Sequence, residues 1–200
     1  MKKLLSLLLL LSFNIKAQDV TIGVQTWASK NLNVSTYRNG DKIPQVQDDN
    51  AWAKLKTGAW CYYENKTANG TTYGKLYNWY AVNDPRGLAP KGYHIPKDAE
   101  WTMLTDYLGG DSMAGTKMKS TSGWKNNGNG TNSSGFNGLP GGYRGSDGDF
   151  NGIGVVGFWW SSSEGNTDYA WCRGLSNGDG LLDGGYNPKH FGFSVRCLRD

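Results

Sequence analysis

Residues 139–164, Leu139 to Glu164, read LPGGYRGSDGDFNGIGVVGFWWSSSE. The run opens on a glycine pair, Gly141-Gly142, and passes a basic aromatic pair, Tyr143-Arg144. It then crosses a Gly/Asp/Asn loop and closes on Phe158-Trp159-Trp160 and three serines. Glycine takes positive φ without a Cβ clash and lets two backbones come close. Adjacent tryptophans bury a large area, and each indole N–H then needs an acceptor. The combination predicts a loop-rich fold packed around aromatic side chains. Composition points the same way: 29 glycines in 200 residues and 13% aromatics do not suit a helical bundle.

Outward from that stretch, Gly157–Ser162 and Tyr169–Leu175 read as strands, Asn177–Pro188 as a long turn, and His190–Leu198 as a closing strand. In the last, Phe191, Phe193, Val195 and Cys197 alternate with Gly192, Ser194 and Arg196. Upstream, Lys97–Leu108 is the clearest helix. It follows Pro96, carries Asp98 and Glu100 in its first turn, and sets Trp101, Leu104 and Leu108 on one side before Gly109-Gly110. Ser112–Lys119 predicts a second, shorter helix, and Gly123–Asn137 is polar loop. Val20–Trp27 alternates as a first strand. Ala59–Glu64 is another, with Ala59, Cys61 and Tyr63 on one face and Trp60 and Tyr62 on the other. Asn50–Leu55 forms a helical turn, Asn65–Thr71 a turn, and Gly74–Val82 a short helix or a buried aromatic segment.

The first residues, Met1-Lys2-Lys3, the apolar run Leu4–Leu11 and the small Ala17 read as a secretory signal peptide cut after Ala17. Residues 18–200 would then be a single domain in the periplasm, on the cell surface or outside the cell. The apolar run is too short to span a bilayer, and no second one exists, so no membrane span is expected in the mature chain. Loss of Lys2, Lys3 and Lys16 takes 21 basic residues to 18 against 17 acidic ones, a net charge near +1. No basic stripe survives, which excludes nucleic acid as a partner. Export makes Cys61, Cys172 and Cys197 candidates for one disulfide and one free thiol. No CxxC or Cys/His spacing points to zinc.

An ordered set of motifs carries a resemblance. It runs through Gln25-Thr26-Trp27, Asn31-Leu32-Asn33-Val34, Tyr37-Arg38-Asn39-Gly40-Asp41 and Gly58-Ala59-Trp60-Cys61-Tyr62-Tyr63. It continues with Tyr73-Gly74-Lys75-Leu76-Tyr77-Asn78-Trp79-Tyr80-Ala81-Val82, Leu88-Ala89-Pro90-Lys91-Gly92-Tyr93-His94-Ile95-Pro96 and Asp98-Ala99-Glu100-Trp101. It ends with Gly138-Leu139-Pro140-Gly141-Gly142-Tyr143-Arg144, Trp159-Trp160-Ser161-Ser162-Ser163 and Gly192-Phe193-Ser194-Val195-Arg196-Cys197. Over residues 20–200 the chain resembles the Fibrobacter succinogenes major paralogous domain of exported bacterial proteins. That family is in turn similar to the formylglycine-generating enzyme group. The resemblance implies an α+β, C-type-lectin-like domain: two helices, short irregular antiparallel strands, long Gly/Asn/Asp-rich loops and neighbouring termini. Lys97 departs from the Ser or Thr that would complete a capping box with Glu100. Membership of Cys61 and Cys197 in the matched motifs favours a Cys61–Cys197 bridge. Cys172–Cys197 across the last two strands is the alternative, and three reduced thiols the third option.

No catalytic constellation is complete. The late cysteine pair of the formylglycine-generating enzymes has no counterpart, His94 and His190 lack motif partners, and Ser161-Ser162-Ser163 reads as a strand end bonding to backbone. Asp147 and Asp149, and Asp179 and Asp183, faintly resemble calcium loops but complete no calcium pattern, so turn chemistry is favoured over Ca2+ and no other cofactor is expected. The ligand-binding candidates are Tyr143, Arg144, Trp159, Trp160, Glu164, Trp171 and Arg173, with Tyr186 nearby and the site placed on loops 145–157 and 176–189. These readings predict a non-enzymatic binding or adhesion module taking an extracellular glycan or a surface protein. The alternatives are a secreted polysaccharide enzyme, with Glu164 and Asp168 as its first carboxylate pair, and a structural subunit of a surface assembly.

Overall fold

In the computed structural model, which describes residues 19–200, Gly23 sits at φ +61° and turns the expected first strand back on itself. β1 (Val20–Ile22) and β2 (Gln25–Trp27) therefore form an antiparallel hairpin instead of one strand. The leader expected over residues 1–17 lies outside the described residues.

The middle of the chain alternates short helices and short strands. Asp48 caps α1 (Asp49–Ala53) by accepting the Ala51 N–H. β3 (Trp60–Cys61) pairs antiparallel with β4 (Leu76–Tyr77). Between them lie a 3₁₀ turn, Tyr63–Asn65, and α2 (Thr67–Tyr73), a helix where the sequence suggests only a turn. The faces expected around β3 hold: Ala59, Cys61 and Tyr63 share one small cluster, while Trp60 joins a larger one with Tyr62 packed on it. α3 (Trp79–Val82) starts at Asn78, whose carboxamide accepts the Ala81 N–H. β5 (Tyr93–His94) leads into α4 (Asp98–Tyr107), and α5 (Asp111–Met118) follows the glycine pair. These last two are the two expected helices. Lys97 offers α4 no side-chain cap, and Ser163 supplies one from another strand, its Oγ accepting the Asp98 N–H at 2.9 Å.

The C-terminal half builds the main sheet. β6 (Gly141–Arg144), β7 (Phe150–Ile153), β8 (Val156–Glu164), β9 (Tyr169–Ser176) and β10 (Asp183–Pro188) lie in the order β10-β9-β8-β6-β7. β7 and β10 occupy segments that read as loop. Their Gly, Asp and Asn residues disfavour strand by propensity, and pairing with β6 and β9 overrides that. β6 meets β8 through the parallel pair Gly142↔Gly157. Gly142 has φ +66°, and a Cβ there would lie 2.5 Å from the Tyr63 ring, so only glycine serves. A second sheet, β1-β2-β11-β5, uses β11 (Leu198–Arg199) to bring both ends of the described chain together. Most of the expected closing strand is something else. Residues 191–197 thread between layers with isolated bridges Tyr77↔Phe193, Arg144↔Gly192 and Trp159↔Ser194, and both alternating faces are largely buried.

β8 feeds two cores because successive side chains leave a strand on opposite faces. Trp159 packs with Trp27, Trp101, Leu104 and Phe136 under α4. Trp160 packs with Tyr77, Phe193 and Val195. The fold is α+β, with five helices and eleven strands among the described residues.

Neither expected disulfide forms: Cys61, Cys172 and Cys197 are all free and buried. Shared motif membership placed Cys61 beside Cys197, but Cys61 packs with Trp52 and Leu76 in the small cluster while Cys197 belongs to the larger one. Cys172 shares the larger cluster, yet its Sγ instead accepts a hydrogen bond from Asn187 Nδ2 at 3.2 Å. Burial pushes the Cys61 and Cys197 thiols up to about 12 and Cys172 up to about 11. The reactive thiolate is therefore suppressed at all three. The expected outcome with a thiol-specific chromogenic reagent is no rapid reaction in native buffer and three thiols per chain in denaturant. One thiol per chain in denaturant would reinstate a bridge.

Candidate functional site

The expected ligand-binding stretch lies largely inside the protein. Trp159 and Trp160 are both 0% exposed, and their indole N–H groups bond Asn31 Oδ1 at 2.9 Å and the Tyr77 carbonyl at 2.8 Å. They have no face to offer a ligand. Arg144 is also fully buried. It donates to the carbonyls of Gly148, Val46 and Gln47 and to Asp49 Oδ1, with its guanidinium 4.6 Å from the Trp52 ring centroid and 4.7 Å from Phe150. That network makes it an internal strut tying α1 to the β6–β7 turn. Tyr143 is half-buried and stacks on Phe191. Arg173 is nearly buried and pairs with Asp98 at 2.5 Å in the first turn of α4. Glu164 is held by the buried Lys189 ammonium.

The aspartates serve turns. Asp147 Oδ1 accepts the Asp149 N–H and Asp179 Oδ1 accepts the Leu181 N–H, while Asp183 is exposed at the start of β10. Among the described residues no three His, Cys, Asp or Glu side chains converge as a metal site would require.

What remains on the surface is the outer hairpin β9–β10. Along β9, Ala170 and Cys172 point inward while Tyr169 and Trp171 point out. Trp171 lies directly opposite Tyr186, their rings edge-to-face with centroids 4.7 Å apart. Tyr186 is 57% exposed and Tyr169 41%. Of the expected aromatic set, Trp171 is the member that β8 does not draw into a core.

The family model of the Fibrobacter succinogenes major domain matches residues 20–199. The chain belongs to that family. No curated protein and no solved structure matches it.

This Fibrobacter succinogenes major domain has a second polar centre at His94, which has no motif partner in the sequence. His94 lies where two clefts of about 530 Å³ and about 410 Å³ meet, with Glu100 on both walls. His94 Nε2 is 2.9 Å from Glu100 Oε1, and Nδ1 is 2.8 Å from Asp200 Oδ1. The other Glu100 oxygen accepts the Lys97 N–H at 2.8 Å, so one carboxylate both caps α4 and orients the imidazole. Burial pulls the His94 pKa down, but hydrogen bonds to Asp200 and Glu100 outweigh it and the net shift is upward. Two carboxylates on one ring suit the imidazolium. Glu100 is only six residues away across Pro96, a signal the sequence offered. Asp200 is brought in by β11 pairing with β5, which no local pattern reveals.

A histidine whose folded pKa is raised stabilises the fold fully below its ordinary value, and that contribution disappears as pH rises through the folded value. His190 works in the opposite sense, because burial lowers it. Comparison with His94→Gln isolates the bridge. His94 is partly exposed, so solvent screening keeps the effect small, about 1–4 °C in melting temperature. We expect the wild type to lead His94→Gln by that margin near pH 6, with the lead shrinking toward pH 9 in thermal unfolding. A lead independent of pH would contradict the assignment.

Proposed function

We propose that this domain is an exported, non-enzymatic binding module on a C-type-lectin-like scaffold, and that it takes carbohydrate on the outer face of the β9–β10 hairpin. The observation that carries the reading is the direct pairing of partly exposed Trp171 with exposed Tyr186 on the main sheet, where Trp159 and Trp160 are fully buried. An exposed aromatic pair offers apolar ring area for the C–H face of a sugar and keeps a polar rim for its hydroxyls. Tyr169 extends the surface on the same side of the sheet, and Arg173 closes one end through its pair with Asp98. The scaffold reading is supported by helices α4 and α5 between strands from both ends of the chain, and by β2 bridging β1 and β11. The non-enzymatic reading is supported by Glu164, which is engaged by Lys189 instead of facing a partner carboxylate across a water-sized gap.

The test is a glycan array followed by titration of the retained sugar. Trp171→Ala and Tyr186→Ala are each expected to weaken binding about tenfold or more, the cost of truncating an aromatic hot spot. Trp159→Phe, in a protein that remains folded, is expected to leave it unchanged. Undiminished binding by both hairpin variants, or retention of no glycan, would contradict the reading and favour a surface-protein partner.

A further inference from the structure

A third cleft, of about 520 Å³, is lined by the 29–33 segment, α2 and residues 137–139, none of which belongs to the β9–β10 hairpin. Its walls carry Lys30, Asn33, Thr71, Thr72 and Asn137 and no acidic residue, and Arg196 lies in its lining. Arg196 is 1% exposed, yet none of its partners is a carboxylate. Nε donates to Asn31 Oδ1, Nη1 to the carbonyls of Phe136 and Ala28, and Nη2 to Asn31 Oδ1 again. A guanidinium carries five N–H groups, so these four bonds leave one Nη2 proton over. Lys75, buried behind Asn33, repeats the pattern. Its ammonium bonds the Asn33 carbonyl and Oδ1 and lies 4.4 Å from the Trp60 ring centroid, again with no acid.

Two buried cations held by neutral acceptors alone are costly, because dipoles replace water's solvation only in part. Arg196 is part of the lining of this cleft and Lys75 bonds its Asn33, so the positive potential of both reaches it. A single unsatisfied guanidinium proton with one exposed ammonium, Lys30, matches a singly charged carboxylate better than a phosphate, which takes more donors. The remaining lining is hydroxyl and carboxamide, the complement of a hydroxylated body. The volume falls within the range of small-ligand sites.

We propose that this cleft binds an acidic saccharide, with the sugar carboxylate between Arg196 and Lys30 and the ring hydroxyls against Thr71, Thr72, Asn33 and Asn137. It is a site separate from the hairpin face and does not depend on it.

The experiment is calorimetric titration of the protein with glucuronate, glucose and inorganic phosphate, at low salt and in 0.5 M NaCl. Glucuronate is expected to bind and glucose not to, and the added salt is expected to weaken binding by screening. Arg196→Lys removes the fork but risks the fold, so the deciding variant is the exposed Lys30→Glu. It should weaken glucuronate at least tenfold with an unchanged melting temperature, while Trp171→Ala leaves glucuronate binding intact. Equal binding of glucose, tighter binding of phosphate, indifference to Lys30→Glu, or no glucuronate binding at millimolar concentration would each overturn the proposal.

Discussion

One carboxamide oxygen holds the layers of this domain in register. Asn31 Oδ1 accepts the Trp159 indole N–H at 2.9 Å and two N–H groups of Arg196, at 3.1 and 2.8 Å. The other end of the same side chain donates to the Tyr73 carbonyl at the end of α2 and to Ser194 Oγ. Three separate segments, β8, the end of α2 and residues 191–197, therefore depend on one residue of the loop after β2. The constraint explains why a tryptophan and an arginine can both be buried here. Neither could give up water without an acceptor, and the cost of an orphaned donor is about 1–3 kcal/mol, more for a charge.

From that node the two cores follow. β8 sends Trp159 toward α4 and Trp160 toward the Tyr77–Phe193 layer, so a one-residue slip of β8 would empty both. A buried tryptophan is worth roughly 3–5 kcal/mol against alanine, and here two of them share one strand. The glycines beside them let β6 and the backbone of residues 191–197 approach. The aromatic content that suggests a ligand surface is mostly consumed by packing, and what is left outside is concentrated on β9–β10 and around the polar clefts.

Local chemistry was legible in the sequence. α4 could be read from Pro96, its first-turn acids and the Trp101–Leu104–Leu108 side, and the two faces around β3 from simple alternation, because both are set within a few residues. Pairing-dependent features were not. β7 and β10 are strands only because β6 and β9 lie beside them, and their Gly, Asp and Asn residues signal turns. The direction in which Trp159 and Trp160 point is decided by what covers β8 on each side, so an exposed and a buried tryptophan look alike in one dimension. The same applies to Arg144, read as a ligand residue and found as a strut between Trp52 and Phe150. His94 gained its significance from Asp200, 106 positions away in sequence, and Cys61 lost its expected partner because it and Cys197 pack in different clusters.

The central claim is that Trp159 and Trp160 are internal pillars and that Trp171 is left partly exposed. Hydrogen–deuterium exchange of the indole N–H groups, followed by NMR with each signal assigned by a Trp→Phe variant, tests it most directly. Slow exchange of Trp159 and Trp160, governed by global unfolding, with much faster exchange of Trp171, is the predicted result. Exchange of Trp159 or Trp160 as fast as that of Trp171 would contradict it.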